Sequence, residues 1–280
     1  MSFRAKSADL PETEEGLQYH IRCKPGDVAP YVLLPGDPDR IPRISRYWDE
    51  AREVARHREY VTHTGRYKGA PISATSTGIG GPAAAIAVEE LLRVGANTFI
   101  RVGTTGTIRR EIGIGDLIIT TGSVRLEGTT KQYVRPEYPA VASYEVVQAL
   151  IEAAETLGVR YHVGITASTD SFYTGQARLG FKGYRQSWMD TLIPDLRAAG
   201  VLNFEMESAT ILTLSNIYGA RAGVICAVLA NRVTGEFVAD AGVEDAIKTA
   251  NEAVRILYEW DEVKREGGKR YFYPGLLKAR

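Results

Sequence analysis

The feature that most restricts this chain is a series of short apolar runs, each breaking into a loop of small and polar residues. YVLL (31–34) leads into PGDPDR, PISAT (71–75) into STGIGG, and TFIRV (98–102) into GTTG. DLIITT (116–121), HVGITAST (162–169) and AGVICAVLANR (222–232) continue the series. Such runs read as strands, and helical stretches lie between several of them. PAAAIAVEELLRVG puts Pro82 in a first helical turn and Gly95 at a C-terminal end. SYEVVQALIEAAETLG predicts a helix with Ser143 as N-cap, Val147, Leu150, Ile151 and Ala154 facing inward, and Gly158 after its end. MESATILTLSNIYG reads as another helix, and Val243, Ile247, Ala250, Val254 and Leu257 mark a final amphipathic one. Strands alternating with helices imply an α/β layered domain with its polar loops gathered at strand ends. The reading is one domain over residues 1–280, with a polar arm over about 1–28 and a basic, aromatic extension over about 264–280. Neither a linker nor an internal repeat interrupts it.

Composition sets limits on partners. Lys and Arg number 34 against 34 Asp and Glu, which argues against a nucleic-acid or membrane-surface binder, since both need a basic excess. Cys23 and Cys226 lack metal-type spacing and read as free thiols in a reducing compartment. No stretch reads as a signal peptide or a bilayer span, so the expected location is cytoplasmic.

The loops carry the chemistry. In SFYTGQARLGF, an extended backbone would put Gln176 and Arg178 on one side, with Ala177 facing away. A Gln amide both donates and accepts, an Arg donates in a fixed fork, and Phe172 offers a stacking face. That combination fits a flat polar object such as a pyrimidine base. GDPDR (Gly36 to Arg40), HREY (Arg58) and RVGTTG (Arg101 to Gly106) each join small or polar residues to an Arg, the pattern of an anion cage suited to inorganic phosphate. An Asp/Pro turn would account for GDPDR alone. STGIGGPAAA matches the dinucleotide fingerprint through Gly78, Gly80 and Ala83, but the next strand carries Arg101 where that fold wants an acidic residue. In NFEMESAT, Glu205 and Glu207 flank Met206 before an apolar helix. A carboxylate there could clamp two sugar hydroxyls, or simply complement the helix dipole. His20, His57, His63 and His162 show no metal spacing, and no Ser or Cys nucleophile motif is present.

LPGDPDR, HRE, STGIGGPA, RVGTTG, SFYTGQAR and FEMESAT, in this order, resemble the uridine phosphorylase branch of the nucleoside phosphorylase I family, from about His20 to the final helix. The resemblance implies a three-layer α/β/α single domain with a mixed, strongly twisted central sheet. It implies phosphate bound by Gly36, Arg40, Arg101 and Thr104, with Arg58 supplied by a neighbouring subunit. Ribose would meet Met206 and Glu207, and the neighbour's His20 would reach the 5′-hydroxyl. The base would lie against Phe172, paired with Gln176 and Arg178, with Arg232 assisting through water. Catalysis would fall to Arg178, Gln176 and Arg101. No cofactor is implied, inorganic phosphate being a co-substrate, and the assembly would be a hexamer built as a trimer of dimers. Family members often hold a monovalent cation such as K+ between subunits near the residue matching Glu59; their usual Ser is Ala83 here. The purine branch typically carries Asp where this chain has Asn231. A purine nucleoside phosphorylase, a nucleosidase, a non-catalytic nucleoside binder and an NAD(P) oxidoreductase are the competing readings.

Overall fold

A computed structural model describes residues 7–279. Residues 1–6 of the expected arm and Arg280 of the extension lie outside the described residues. The elements run β1 (Tyr31–Leu34), α1 (Arg40–Ser45), β2 (Glu50–His57), β3 (Tyr60–Tyr67), β4 (Ala70–Thr75), α2 (Gly81–Arg93), β5 (Thr98–Thr107) and β6 (Leu117–Arg125). After them come β7 (Ala140–Val141), α3 (Tyr144–Leu157), β8 (Tyr161–Ser168), α4 (Met189–Ala198), β9 (Val201–Glu205), α5 (Ser208–Ile217), β10 (Arg221–Asn231), β11 (Glu236–Phe237) and α6 (Val243–Glu266).

β1, β4, β5 and most of β10 are strands buried on both faces, as a sheet covered by helices on either side requires, whereas β8 is buried only toward its end, with Val163 and Ile165 exposed. Alternate residues enter opposite cores. Tyr31 and Leu33 of β1, Ile100 and Val102 of β5, and Ile225 and Ala227 of β10 pack with α1, α3 and α6. Val32 and Leu34, Phe99, and Val224 and Cys226 pack with α2, α5 and the arm residues Ile21 and Cys23. The structure is therefore three-layered. β5 runs parallel to β1 and to β10, while β6 is antiparallel to β10 and parallel to β8. β9 pairs parallel with β8 and antiparallel with the end of β5. The mixed sheet thus bends until β5, β10, β6, β8 and β9 close on one another, with β1, β4, β3 and β2 extending outward. That strong twist brings the ends of β1, β4, β5, β8, β9 and β10 toward one place.

Three details differ from the sequence reading. RVGTTG is not a loop but the second half of β5, because Gly103 to Thr107 keep pairing with β10. Ser143 does precede α3, but its hydroxyl accepts from the Ala222 amide rather than capping the helix. On α3 the expected Leu150 and Ala154 are buried, but Val146, Ala149 and Ala153 join them while Val147 and Ile151 are only half-buried, so the inner face is centred slightly earlier than expected. Among the described residues no helix is long and apolar enough to cross a membrane.

Candidate active site

A cleft of about 930 Å³ opens where the strand ends meet. Gly36, Asp37 and Arg40 reach it from the loop after β1, Gly78 and Ile79 from the loop after β4, and Arg101 and Thr104 from β5 itself. Phe172, Gln176 and Arg178 come from the loop after β8, Glu205 to Glu207 from the end of β9, and Leu229 to Arg232 from β10. A β-bulge between Val228 and Ala230 frees Leu229 from the ladder and lets it join the wall.

At one end stand two guanidinium groups with unused donors. Arg101 is buried, with Nε donating to Glu205 at 2.8 Å and Nη2 paired with Glu207. Its Nη1 has no partner among the described residues, and neither has Nε of Arg40, whose Nη1 donates to the Val102 carbonyl at 3.0 Å. Buried donors left unpaired are costly, so two of them beside one cleft mark a place for an acceptor. Burial and the nearby Arg101 push the Arg40 guanidinium below its ordinary range. Gly36 is held small here: a Cβ would come within 3.0 Å of the Gly78 carbonyl and 4.0 Å of Arg101 Nη1.

The carboxylates fix this end. Glu205 accepts from Arg101 Nε, from the Glu207 and Ser208 amides at 2.8 to 3.0 Å, and from the hydroxyls of Ser208 and Ser168. Burial alone would raise its carboxyl, but Arg101 and these donors hold it below the usual range. Glu207 accepts from the Gly80 amide at 2.6 Å, which ties the β4–α2 loop to the same centre. Burial outweighs Arg101 there and, with Glu205 adjacent, raises the Glu207 carboxyl. The sequence reading paired these two glutamates without giving Glu205 a role of its own. Its local donors, at Glu207 and Ser208, look like an ordinary helix start; what distinguishes it is Arg101 from β5 and Ser168 from β8.

At the other end lie the aromatic loop and two more arginines. Gln176 and Arg178 do meet, with Arg178 Nη1 donating to Gln176 Oε1 at 2.5 Å. The backbone is not extended, however. Thr174–Gln176 form a 3-10 turn and Ala177 takes φ 54°, so a left-handed residue rather than strand alternation joins the two side chains. Gln176 is buried and donates to Thr169 Oγ1 at 3.2 Å. The face of Phe172 carries the Arg178 guanidinium at 4.0 Å from the ring centre. Burial, with Arg232 adding, lowers Arg178 to about 10. An arginine keeps its proton at neutral pH even so, and the shift expresses the electrostatic cost of two close cations in a partly dry site. A negative group would relieve it. Arg232 donates to the Gln176 carbonyl at 2.8 Å and so braces this loop from behind.

Two expected residues lie elsewhere. His20 and Arg58 do not line this cleft. The His20 amide and Nδ1 bind Glu90, the ring contact at 2.6 Å, and Arg58 is exposed over the Tyr19 ring at 5.7 Å. Arg58 forms the β2–β3 hairpin turn with φ 54°, a left-handed conformation that costs a side-chain-bearing residue about 1–2 kcal/mol. Glu59, its neighbour, does line the cleft, close against Gly78.

Residues 30–259 match the phosphorylase superfamily. A uridine phosphorylase of Thermococcus kodakarensis is 68% identical over 270 residues, 96% of this chain and 97% of that protein. A uridine phosphorylase of Escherichia coli is 41% identical over 252 residues, 86% of this chain and 95% of that one. A guanosine phosphorylase of Halorubrum lacusprofundi is also 41% identical, over 218 residues covering 78% of this chain and 85% of its own.

Proposed function

The chain belongs to the phosphorylase superfamily, and from that premise we infer that it cleaves uridine with inorganic phosphate, reversibly, to uracil and ribose 1-phosphate. The observation that carries the reading is the polarity of the one cleft. Unpaired Arg40 and Arg101 donors stand at one end with Glu207 paired to Arg101, the Gln176–Arg178 pair stands at the other, and Met206 lines the same cleft.

Breaking an N-glycosidic bond builds positive charge on the sugar and negative charge on the departing base. Phosphate held by Gly36, Arg40, Arg101 and Thr104 sits beneath the anomeric carbon, stabilises the cation and then captures it. Glu207 accepts from the ribose hydroxyls, and Met206 lies along the sugar. Gln176 accepts from uracil N3–H while donating to a ring carbonyl, and Arg178 donates to the oxygen on which charge accumulates. Phe172 takes the ring face as Arg178 turns to the base. Arg101, fixed by both glutamates, keeps Nη1 for phosphate without reorganisation.

His20 and Arg58 complete the site from a neighbouring subunit in this proposal, the assembly being a homo-oligomer, a hexamer formed as a trimer of dimers. What supports it is that both side chains stand outside the cleft of their own subunit, with Arg58 held in an unfavourable backbone conformation. The residues near Glu59 do not fit a bound K+. Ala83 offers a methyl group, and its carbonyl already accepts from the Tyr60 hydroxyl at 3.0 Å. We route no step through that ion. The two buried thiols favour a reducing, cytoplasmic setting, and the chain is read as one domain.

The test is release of free base from uridine, thymidine, cytidine, inosine, guanosine and adenosine, with and without phosphate. Uridine is expected to react only with phosphate present, and cytidine and the purines about a hundredfold or more slower. Phosphate-independent cleavage, or a purine nucleoside as the best substrate, would overturn the reading.

A further inference from the structure

The end of β10 carries, at the cleft wall, a buried amide whose hydrogen bonds all go to the protein itself. Asn231 is 2% exposed. Its Nδ2 donates to the Arg109 carbonyl at 3.0 Å and the Ile112 carbonyl at 2.9 Å. Its Oδ1 accepts from the Val233 amide at 2.9 Å and the Thr234 amide at 3.1 Å. Two donor hydrogens and two lone pairs are the whole capacity of a carboxamide, and all four are engaged. The Asn231 carbonyl accepts from Gly235, closing the turn that follows.

These bonds set what comes next in the chain. The Arg232 amide donates to the Thr107 carbonyl, and its guanidinium reaches the carbonyls of Gln176 at 2.8 Å and Ala177 at 3.4 Å. Gln176 and Arg178 are the two residues that meet the base in the reading above, on which this inference rests. We propose that Asn231 is a positioning residue: by pinning the β10 end to the 109–112 turn, it aims Arg232 at the Gln176–Arg178 loop and so shapes the pyrimidine site from behind. Its side chain faces the turn and not the substrate. An acid at this position would not serve as a proton donor to a base. It would meet two carbonyl oxygens with a carboxylate, and could satisfy only one of them when protonated.

The experiment is a double-variant cycle on the full chain, using Asn231→Asp, Arg232→Ala and both together. Each single change is expected to lower kcat/KM for uridine about tenfold while leaving the phosphate KM within about twofold, and the double should be little worse than the weaker single variant. Asn231→Asp should gain no phosphorolysis of guanosine or inosine. Relative to the native protein, its uridine activity should rise as pH falls from about 8 to about 6, because the protonated acid regains one donor. Additive losses, a phosphate KM that moves equally, new purine activity or a flat pH ratio would each overturn the proposal. If Asn231→Asp does not fold, Asn231→Ser in the same cycle decides by the same coupling and phosphate criteria. Loss of the underlying uridine reading is separable, since the native protein itself would then fail to cleave uridine.

Discussion

In the proposed reaction, Arg178 is the residue at which base recognition and catalysis would coincide. It leans on the Phe172 ring and donates to Gln176, and burial with Arg232 makes its charge costly. A departing uracil anion supplies the missing partner, so this interaction strengthens as the bond breaks, which is the condition for lowering a barrier. Arg178→Ala is expected to reduce uridine turnover by about 10²–10³, the range for loss of one such donor, while the phosphate KM stays near native. Steady-state kinetics with each substrate varied in turn check this, and near-native uridine turnover would remove Arg178 from the base site. The pair was legible in the sequence because its chemistry is carried by residue type. The route to the pairing was not, because it depends on Ala177 adopting φ 54°, and nothing about an alanine announces a left-handed turn. Glu205 was illegible for a related reason: beside its local donors at Glu207 and Ser208, its role depends on Arg101 and Ser168 from distant strands.

β5 shows how an element can be both scaffold and site. Its first half holds the sheet between β1 and β10, and its second half carries Thr104 to Gly106 along the cleft. Gly103 makes this compatible, since a Cβ there would lie 2.8 Å from Cys226 Sγ and 3.1 Å from Arg101 Cζ. Gly103→Ala should therefore cost about 1–3 kcal/mol from overpacking and displace Arg101. Denaturant melts and a raised phosphate KM are the paired readouts, and an unchanged phosphate KM would mean that Cys226 alone yields. From the sequence this segment looks like a loop because Gly and Thr are turn formers; long-range pairing with β10 overrides that preference. The β2–β3 hairpin escaped the sequence reading too, because β2 is largely polar and exposed and β3 buries only Tyr60 to Thr62, too short a stretch to show an apolar period. The long buried helices were legible because their periodicity is strong. The C-terminal segment belongs to the same scale. Phe272 is buried and stacks on Trp260 at 3.9 Å, with its amide donating to Glu145. Phe272→Ala is expected to lower stability by about 3–5 kcal/mol with kcat intact, because among the described residues none after Phe237 lines the cleft. A calorimetric Tm measured alongside uridine kinetics distinguishes this latch from a catalytic role.

At the scale of the whole molecule, the proposed function takes one cation and one partner for a sugar hydroxyl from a neighbouring subunit. The Arg40 and Arg101 donors converge, while Arg58 projects from the hairpin tip on a strained backbone, away from its own cleft. His20 is likewise held on the outside by Glu90, a buried carboxylate of α2 that also binds the Ile21 amide. An arm pinned so firmly, with His20 outside its own subunit's cleft, is consistent with the proposal that it serves a neighbour. Two-fold symmetry then makes the exchange reciprocal, since each subunit would lend the same residues that it receives. The consequence is sharp for a mixture of two dead variants. In a dimer of Arg58→Ala with Arg178→Ala, one site collects both lesions and the other collects neither. Random reassortment of equal amounts puts half the subunits in such mixed pairs, so about a quarter of the native activity should return. Each variant alone, carried through the same dissociation and reassembly, should stay inactive. If the re-formed mixture remains dead while size measurements show that subunits have exchanged, Arg58 serves its own chain or no site at all. Recovery near a quarter requires that the lesions were in different subunits of a shared site, because no arrangement confined to single chains can restore either variant.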